Sequence, residues 1–177
     1  MASAGHKQPV DLYINCVVLS PFHSEFTFLH NVFRLTGIRM HHAESLVQAE
    51  FLLTVTGSTV LLVDVIFADG TWRTALDLFR DSYPLVTTLV MADPADRPFL
   101  KDLFHCGACG ILWKPFQFDG VRRLIRAAHG ASRERQALRE EALREEILPE
   151  EILSRSGNSG DQRPRAPIAE IRSPRFR

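Results

Sequence analysis

The chain has 177 residues, 45% of them apolar, which suits one domain with a genuine core plus extensions. Lys plus Arg and Asp plus Glu each number 21, so no bulk charge draws the protein to nucleic acid or to a membrane surface. The apolar runs are too short to span a bilayer, residues 1–8 lack a charged-then-apolar export pattern, and three cysteines, an odd count, suit a reducing cytoplasmic setting.

Residues 14–19 (INCVVL) read as a first strand, stopped at Ser20-Pro21. Ser24 is placed to cap a helix whose apolar positions are Phe26, Leu29, Val32, Phe33 and Leu35, with Gly37 as its stop. Residues 39–43 form a short second strand, less apolar, as an edge strand would be. Residues 46–53 predict a second helix closed by Gly57. Residues 59–64 (TVLLVD) then give an unbroken apolar run that ends in a carboxylate, the pattern of a strand buried on both faces. A loop through Asp69-Gly70 leads to a helix over 71–83 that turns Trp72, Ala75, Leu76 and Phe79 inward, and Pro84 ends it. Residues 85–92 are a fourth strand, 93–96 a loop, and 98–106 a fourth helix ended by Gly107. Residues 110–113 are a fifth strand stopped by Lys114-Pro115, and a fifth helix starts near Asp119 with Val121, Leu124, Ile125 and Ala128 inward.

Five strands alternating with five helices predict an α/β fold, a parallel sheet covered on both faces with right-handed crossovers. Asp64 then lies at the carboxyl edge of the sheet, where such folds collect their ligands. The glycines form neither a phosphate loop nor a dinucleotide fingerprint.

Three segments between residues 14 and 129 resemble the receiver domain of bacterial two-component response regulators. TVLLVD is similar to the strand that ends in that family's phosphorylated aspartate. Residues 89–92 (LVMA) resemble its fourth strand. Residues 107–116 (GACGILWKPF) resemble its Gly-Ala segment and its Lys-Pro-Phe, the most specific of the three. The resemblance implies a flavodoxin-like, doubly wound five-stranded sheet of order 2-1-3-4-5. It makes Asp64 the phosphoacceptor candidate, Lys114 the phosphate-contact candidate, and Met91 and Ile111 the switch positions.

The departures bear on the chemistry. Where the family carries two acidic residues that hold a divalent cation, this chain has Ser20 and Pro21. The hydroxyl of the fourth strand is Met91 and the aromatic of the fifth is Ile111. Mg²⁺ wants several hard oxygen ligands, so no metal or other cofactor is expected unless the chain is phosphorylated after all. Asp69 and Asp93 are the residues that could substitute as ligands. Asp64 therefore has two readings: a live acceptor, or an ion-pair partner of Lys114.

The pair Cys106 and Cys109 matches C-x-x-C, which suggests a thiol-redox or zinc site. The predicted helix over 98–106 places it at a helix C-terminus, the unfavourable end for a reactive thiol, and zinc would need more ligands than His105 supplies. Residues 131–148 are rich in Arg, Glu, Ala and Leu, and Ala131, Leu138 and Ala142 trace a narrow stripe with Leu143 and Ile147 beside it. That stripe is either a coiled-coil seam supporting a homodimer or one side of a solvated helix, since Arg135 interrupts it. Residues 154–177 read as a disordered basic tail. The expected division is a flexible 1–12, a receiver-like 13–130, a helical extension over 131–153, and the tail. No DNA-binding domain fits in what remains. The sequence as a whole predicts a non-enzymatic signalling protein that docks onto a histidine kinase or another signalling protein through its fourth helix, fifth strand and fifth helix.

Overall fold

The computed structural model describes residues 13–147. A single five-stranded sheet organises them, built from β1 (Ile14–Leu19), β2 (Ile38–Ala43), β3 (Val60–Asp64), β6 (Thr87–Ala92) and β7 (Gly110–Trp113). All pairings are parallel and the spatial order is β2-β1-β3-β6-β7. This is the predicted doubly wound topology, with sequential strands growing in both directions from β1 and β3. Helix α1 (His23–Phe33) joins β1 to β2, and α2 (Leu46–Thr56) joins β2 to β3. Helix α3 (Trp72–Ser82) precedes β6, and α4 (Phe118–Ile147) follows β7.

Side-chain parity explains the two cores. Strand residues alternate between the faces of a sheet. Val17, Leu19, Leu61, Val63, Val90 and Ala92 face one side with Leu53 of α2 and Leu76 and Phe79 of α3. Cys16, Val18, Val60, Leu62, Leu89 and Met91 face the other with Leu29 and Phe33 of α1 and Val121 and Ile125 of α4. Every residue of β3 and β6 is buried, as a central parallel strand requires.

Local signals account for most boundaries. Ser45 caps α2 by accepting the Gln48 N–H, and Gly57 ends the helix in the left-handed conformation at φ +61°. Gly37 closes the turn after α1 at φ +77°. Helix α1, by contrast, starts one residue before the predicted Ser24, and its N-cap Phe22 offers no side-chain acceptor. The Ser20 hydroxyl accepts the Phe22 N–H instead, at 3.1 Å. Leu35, expected to face inward, is 87% exposed because the helix has already ended.

Two segments differ from expectation. The loop after Asp64 folds into a small antiparallel ladder, β4 (Ile66–Phe67) against β5 (Gly70–Thr71). The predicted fourth helix over 98–106 is absent. Pro94–Leu100 is a 3₁₀ segment started by an Asp93/Asp96 capping box, and residues 101–107 run through turns. Pro98 lies inside that segment, where it lacks the N–H an α-helix needs. Phe99 and Phe104 are consequently left 67% and 61% exposed.

Helix α4 passes through Gly130 without interruption. The compact unit extends to Arg139, and a second begins at Glu140. Ser132 is buried with its hydroxyl donating to the Leu85 carbonyl at 2.5 Å, and Arg135 donates to the Thr87 hydroxyl. Leu138 and Leu143 of the predicted stripe are exposed. The expected flexible 1–12 segment, the end of the expected helical extension beyond residue 147 and the expected basic tail all lie outside the described residues. Among the described residues no helix is long and apolar enough to cross a membrane.

Candidate functional site

Asp64 ends β3, paired in register with Met91 of β6. Parity puts its side chain on the face of Val60 and Leu62, the face covered by α1 and α4. Lys114 follows β7 by one residue and has the parity of Leu112, so it arrives at the same edge on the same face. The two meet directly: Lys114 Nζ donates to Asp64 Oδ1 at 2.7 Å, with their side chains only 12% and 5% exposed.

A third residue completes the site. Glu25, in the first turn of α1, accepts from Lys114 Nζ through Oε1 at 2.8 Å, and Oε2 stands 2.7 Å away without hydrogen-bond alignment. One ammonium is thus held between two carboxylates. The Phe22 ring lies beyond it, with Nζ 5.5 Å from the ring centroid. The remaining oxygens, Asp64 Oδ2 and Glu25 Oε2, are buried and accept no hydrogen bond. Burial pushes the Glu25 carboxyl above its ordinary value, the Lys114 hydrogen bond pulls it back in part, and the Asp64 charge adds to the rise. Burial alone would lower the Lys114 value, but its hydrogen bonds to Asp64 and Glu25 outweigh this and the net direction is upward. The ammonium is therefore a fixed part of the site.

The other expected residues divide between the site and its surroundings. Ser20 is buried, its hydroxyl engaged with the Phe22 N–H and its carbonyl 3.0 Å from His42 Nε2. Pro21 offers no side-chain ligand. Met91 adjoins Asp64 but is fully buried among apolar side chains. Ile111 packs with the opposite core, so the structure does not bring it to Asp64. Asp69 accepts the Leu46 N–H at the start of α2, through Oδ1 at 3.2 Å and Oδ2 at 3.0 Å, and is not a substitute ligand. Asp93 caps the 3₁₀ segment and is close enough for its charge to act on Glu25.

These residues fit a divalent cation poorly. Two carboxylate oxygens accept no hydrogen bond, but both carboxylates already contact an ammonium, which would repel a second cation. Among the described residues no group of three or more His, Cys, Asp or Glu side chains is arranged to hold a metal. His41 and His42 lie on β2, an edge of the sheet opposite β7, so neither joins Cys106 and Cys109. Sequence reasoning missed Glu25. Its signal was available: an acidic residue in the first turn after β1, on the helix that covers the Asp64 face.

No protein-family model matches the sequence, and no curated protein does either. Solved structures do. The signal receiver domain of an HD-domain-containing protein from Pseudomonas fluorescens Pf-5 is similar with a TM-score of 0.65 at 16% identity, over 75% of this chain and 98% of that one. The signal receiver domain of a putative Luxo repressor protein from Vibrio parahaemolyticus gives 0.64 at 12% identity, over 71% and 97%. A response regulator receiver domain protein from Clostridium thermocellum gives 0.62 at 14% identity, over 68% and 97%. The likeness at such identities is one of fold, and the fold of this chain is that of receiver domains.

Proposed function

We propose that this chain is a degenerate receiver, a cytoplasmic protein of the response-regulator type that works by docking to a signalling partner and has no catalytic turnover of its own. One observation carries the reading. The ammonium that would meet an incoming phosphoryl group is already neutralised by Asp64 and by Glu25, while Ser20 and Pro21 stand where cation ligands would be needed. Phosphoryl transfer depends on positioning and on cancelling charge. Here the charge-cancelling group is committed to the protein's own carboxylates, and Asp64 is 4% exposed. Met91 supplies no hydroxyl. The receiver fold of solved neighbours supports the signalling role.

The docking face of this reading is the 3₁₀ segment Pro94–Leu100 with the turns after it, β7, and the first half of α4. Phe99 and Phe104 stand exposed there, which suits contact with a protein such as a histidine kinase.

A second reading, phosphorylation of Asp64 with Mg²⁺ as cofactor, is favoured by the buried oxygens Asp64 Oδ2 and Glu25 Oε2, which accept no hydrogen bond and could accept a cation if Lys114 swung away. Incubation with acetyl phosphate and Mg²⁺, followed by intact-mass measurement, separates the two. The docking reading expects no phosphoryl mass gain. A gain that disappears in Asp64→Ala would establish the second reading and remove the first.

A further inference from the structure

Cys106 and Cys109 line one cavity of about 310 Å³ at the end of the sheet opposite Asp64, where β6 begins at Thr87. A helix ending at Cys106 would have set its dipole against a thiolate. That helix does not form: the chain from 101 to 107 is turns, and Gly107, at φ +99°, redirects it between the two cysteines. Cys106 is half-buried and Cys109 exposed. Arg73 Nη1 donates to Cys106 Sγ at 3.5 Å, while Nη2 of the same guanidinium holds Asp102 at 3.2 Å. Arg80 donates to the Cys106 carbonyl, so the residue is fixed from both ends. Cys109 has only its backbone tied, its N–H donating to the Thr88 carbonyl at 2.8 Å.

We propose that Cys106 is a site of reversible oxidation by a small peroxide, with Cys109 as the resolving thiol and Arg73 as a positioning residue. The Cys106 thiolate attacks one peroxide oxygen. The O–O bond breaks, an S–O bond forms, and the departing hydroxide takes up a proton as water. Sulfur has lost two electrons and the peroxide has gained them. The Cys109 thiolate then attacks the Cys106 sulfur, an S–S bond forms, the S–O bond breaks, and the hydroxyl leaves with a proton as a second water. A low-mass dithiol reverses the change by two exchanges, releasing both thiols and its own disulfide. A guanidinium N–H aimed at the Cys106 sulfur fixes the direction in which that sulfur faces the cavity. The site acts whether or not Asp64 accepts a phosphoryl group.

The assignment makes the less exposed thiol the faster one. The test exposes the full chain to hydrogen peroxide and maps products by peptide mass spectrometry. A disulfide between Cys106 and Cys109 that dithiothreitol removes is expected. In Cys109→Ser, a dimedone probe should label Cys106; in Cys106→Ser, Cys109 should stay largely unlabelled. Arg73→Gln should slow Cys106 oxidation about tenfold, the worth of one hydrogen bond to a charged group, and Arg73→Lys should recover part of the rate. Cys16 is fully buried, with its thiol pushed up by desolvation, and serves as the internal unreactive control. Faster labelling of Cys109 than of Cys106, or an Arg73→Gln rate equal to that of the parent, would overturn the proposal.

Discussion

Replacing Lys114 with Met tests the central triad directly. The substitution keeps much of the side-chain volume and removes the only charge between Asp64 and Glu25. The Lys114–Asp64 contact is nearly closed to water, with side-chain exposures of 12% and 5%. Removing one partner of a buried pair costs about 3–5 kcal/mol, because the other is left as an uncompensated buried charge. Glu25 is one quarter exposed and can recruit water, so its share is small and the lower end applies. For a domain of this size about 3 kcal/mol corresponds to a fall of about 10 °C in Tm.

The pH dependence follows from the directions of the shifts. Glu25 titrates above its ordinary 4.5 in the fold, so its contribution is full at low pH and fades as pH rises through the raised value. Lys114 titrates above its ordinary 10.5, so its contribution holds through neutrality and fades only in strong alkali. Without the ammonium, proton uptake is the remaining way to neutralise the two carboxyls. The deficit of Lys114→Met should therefore narrow as the buffer is acidified toward the Glu25 range. Urea melts of parent and variant at neutral and mildly acidic pH measure both quantities. A deficit within about 0.5 kcal/mol at neutral pH, typical of an exposed pair, or one that widens on acidification, would refute the description of the site.

Met91→Thr restores the hydroxyl that receivers carry on this strand, but places it in a fully buried apolar cluster. A loss of about 2–4 kcal/mol in a thermal melt is expected from the cavity and the unpaired hydroxyl together, with no gain of acetyl phosphate labelling. Gly57→Ala meets no atom within 4 Å, yet sits at φ +61°. Its cost should be about 1–2 kcal/mol, all of it backbone, and a neutral result would show that the end of α2 readjusts.

The sheet was legible because its central strands are encoded redundantly. VLLV and LVMA are short apolar runs rich in β-branched or strand-compatible residues and bounded by polar or turn residues, the pattern of strands buried on both faces. The second strand read as an edge because it is less apolar, and Asp64 and Lys114 fell together because each comes at the carboxyl end of a strand. What escaped was decided by the competition between local and tertiary terms. Residues 98–106 carry apolar residues at helical spacing, but Pro98 and the Asp93/Asp96 box favour a tighter turn, and periodicity weighs neither. The Ile66–Thr71 ladder is two residues per strand, too short for any alternation to register. Glu25 went unnoticed because sequence comparison directs attention to Ser20 and Pro21, where carboxylates are missing. The replacement carboxylate comes from the next turn of chain, and only the packing of α1 over β3 shows that it reaches.

The contacts of Ser132 and Arg135 set a limit on how α4 can fray. A helix unwinds from its open end inward, one hydrogen bond at a time. In α4, Arg135 and Ser132 are bonded to Thr87 and to the Leu85 carbonyl at the entrance to β6. Unwinding past them breaks ties to the start of a strand that lies inside the sheet, with a neighbour on each side. Amide exchange along α4 should therefore step from fast to slow near Arg135 rather than grade smoothly. The backbone on the protected side of that step should exchange together with β6, as one cooperative unit.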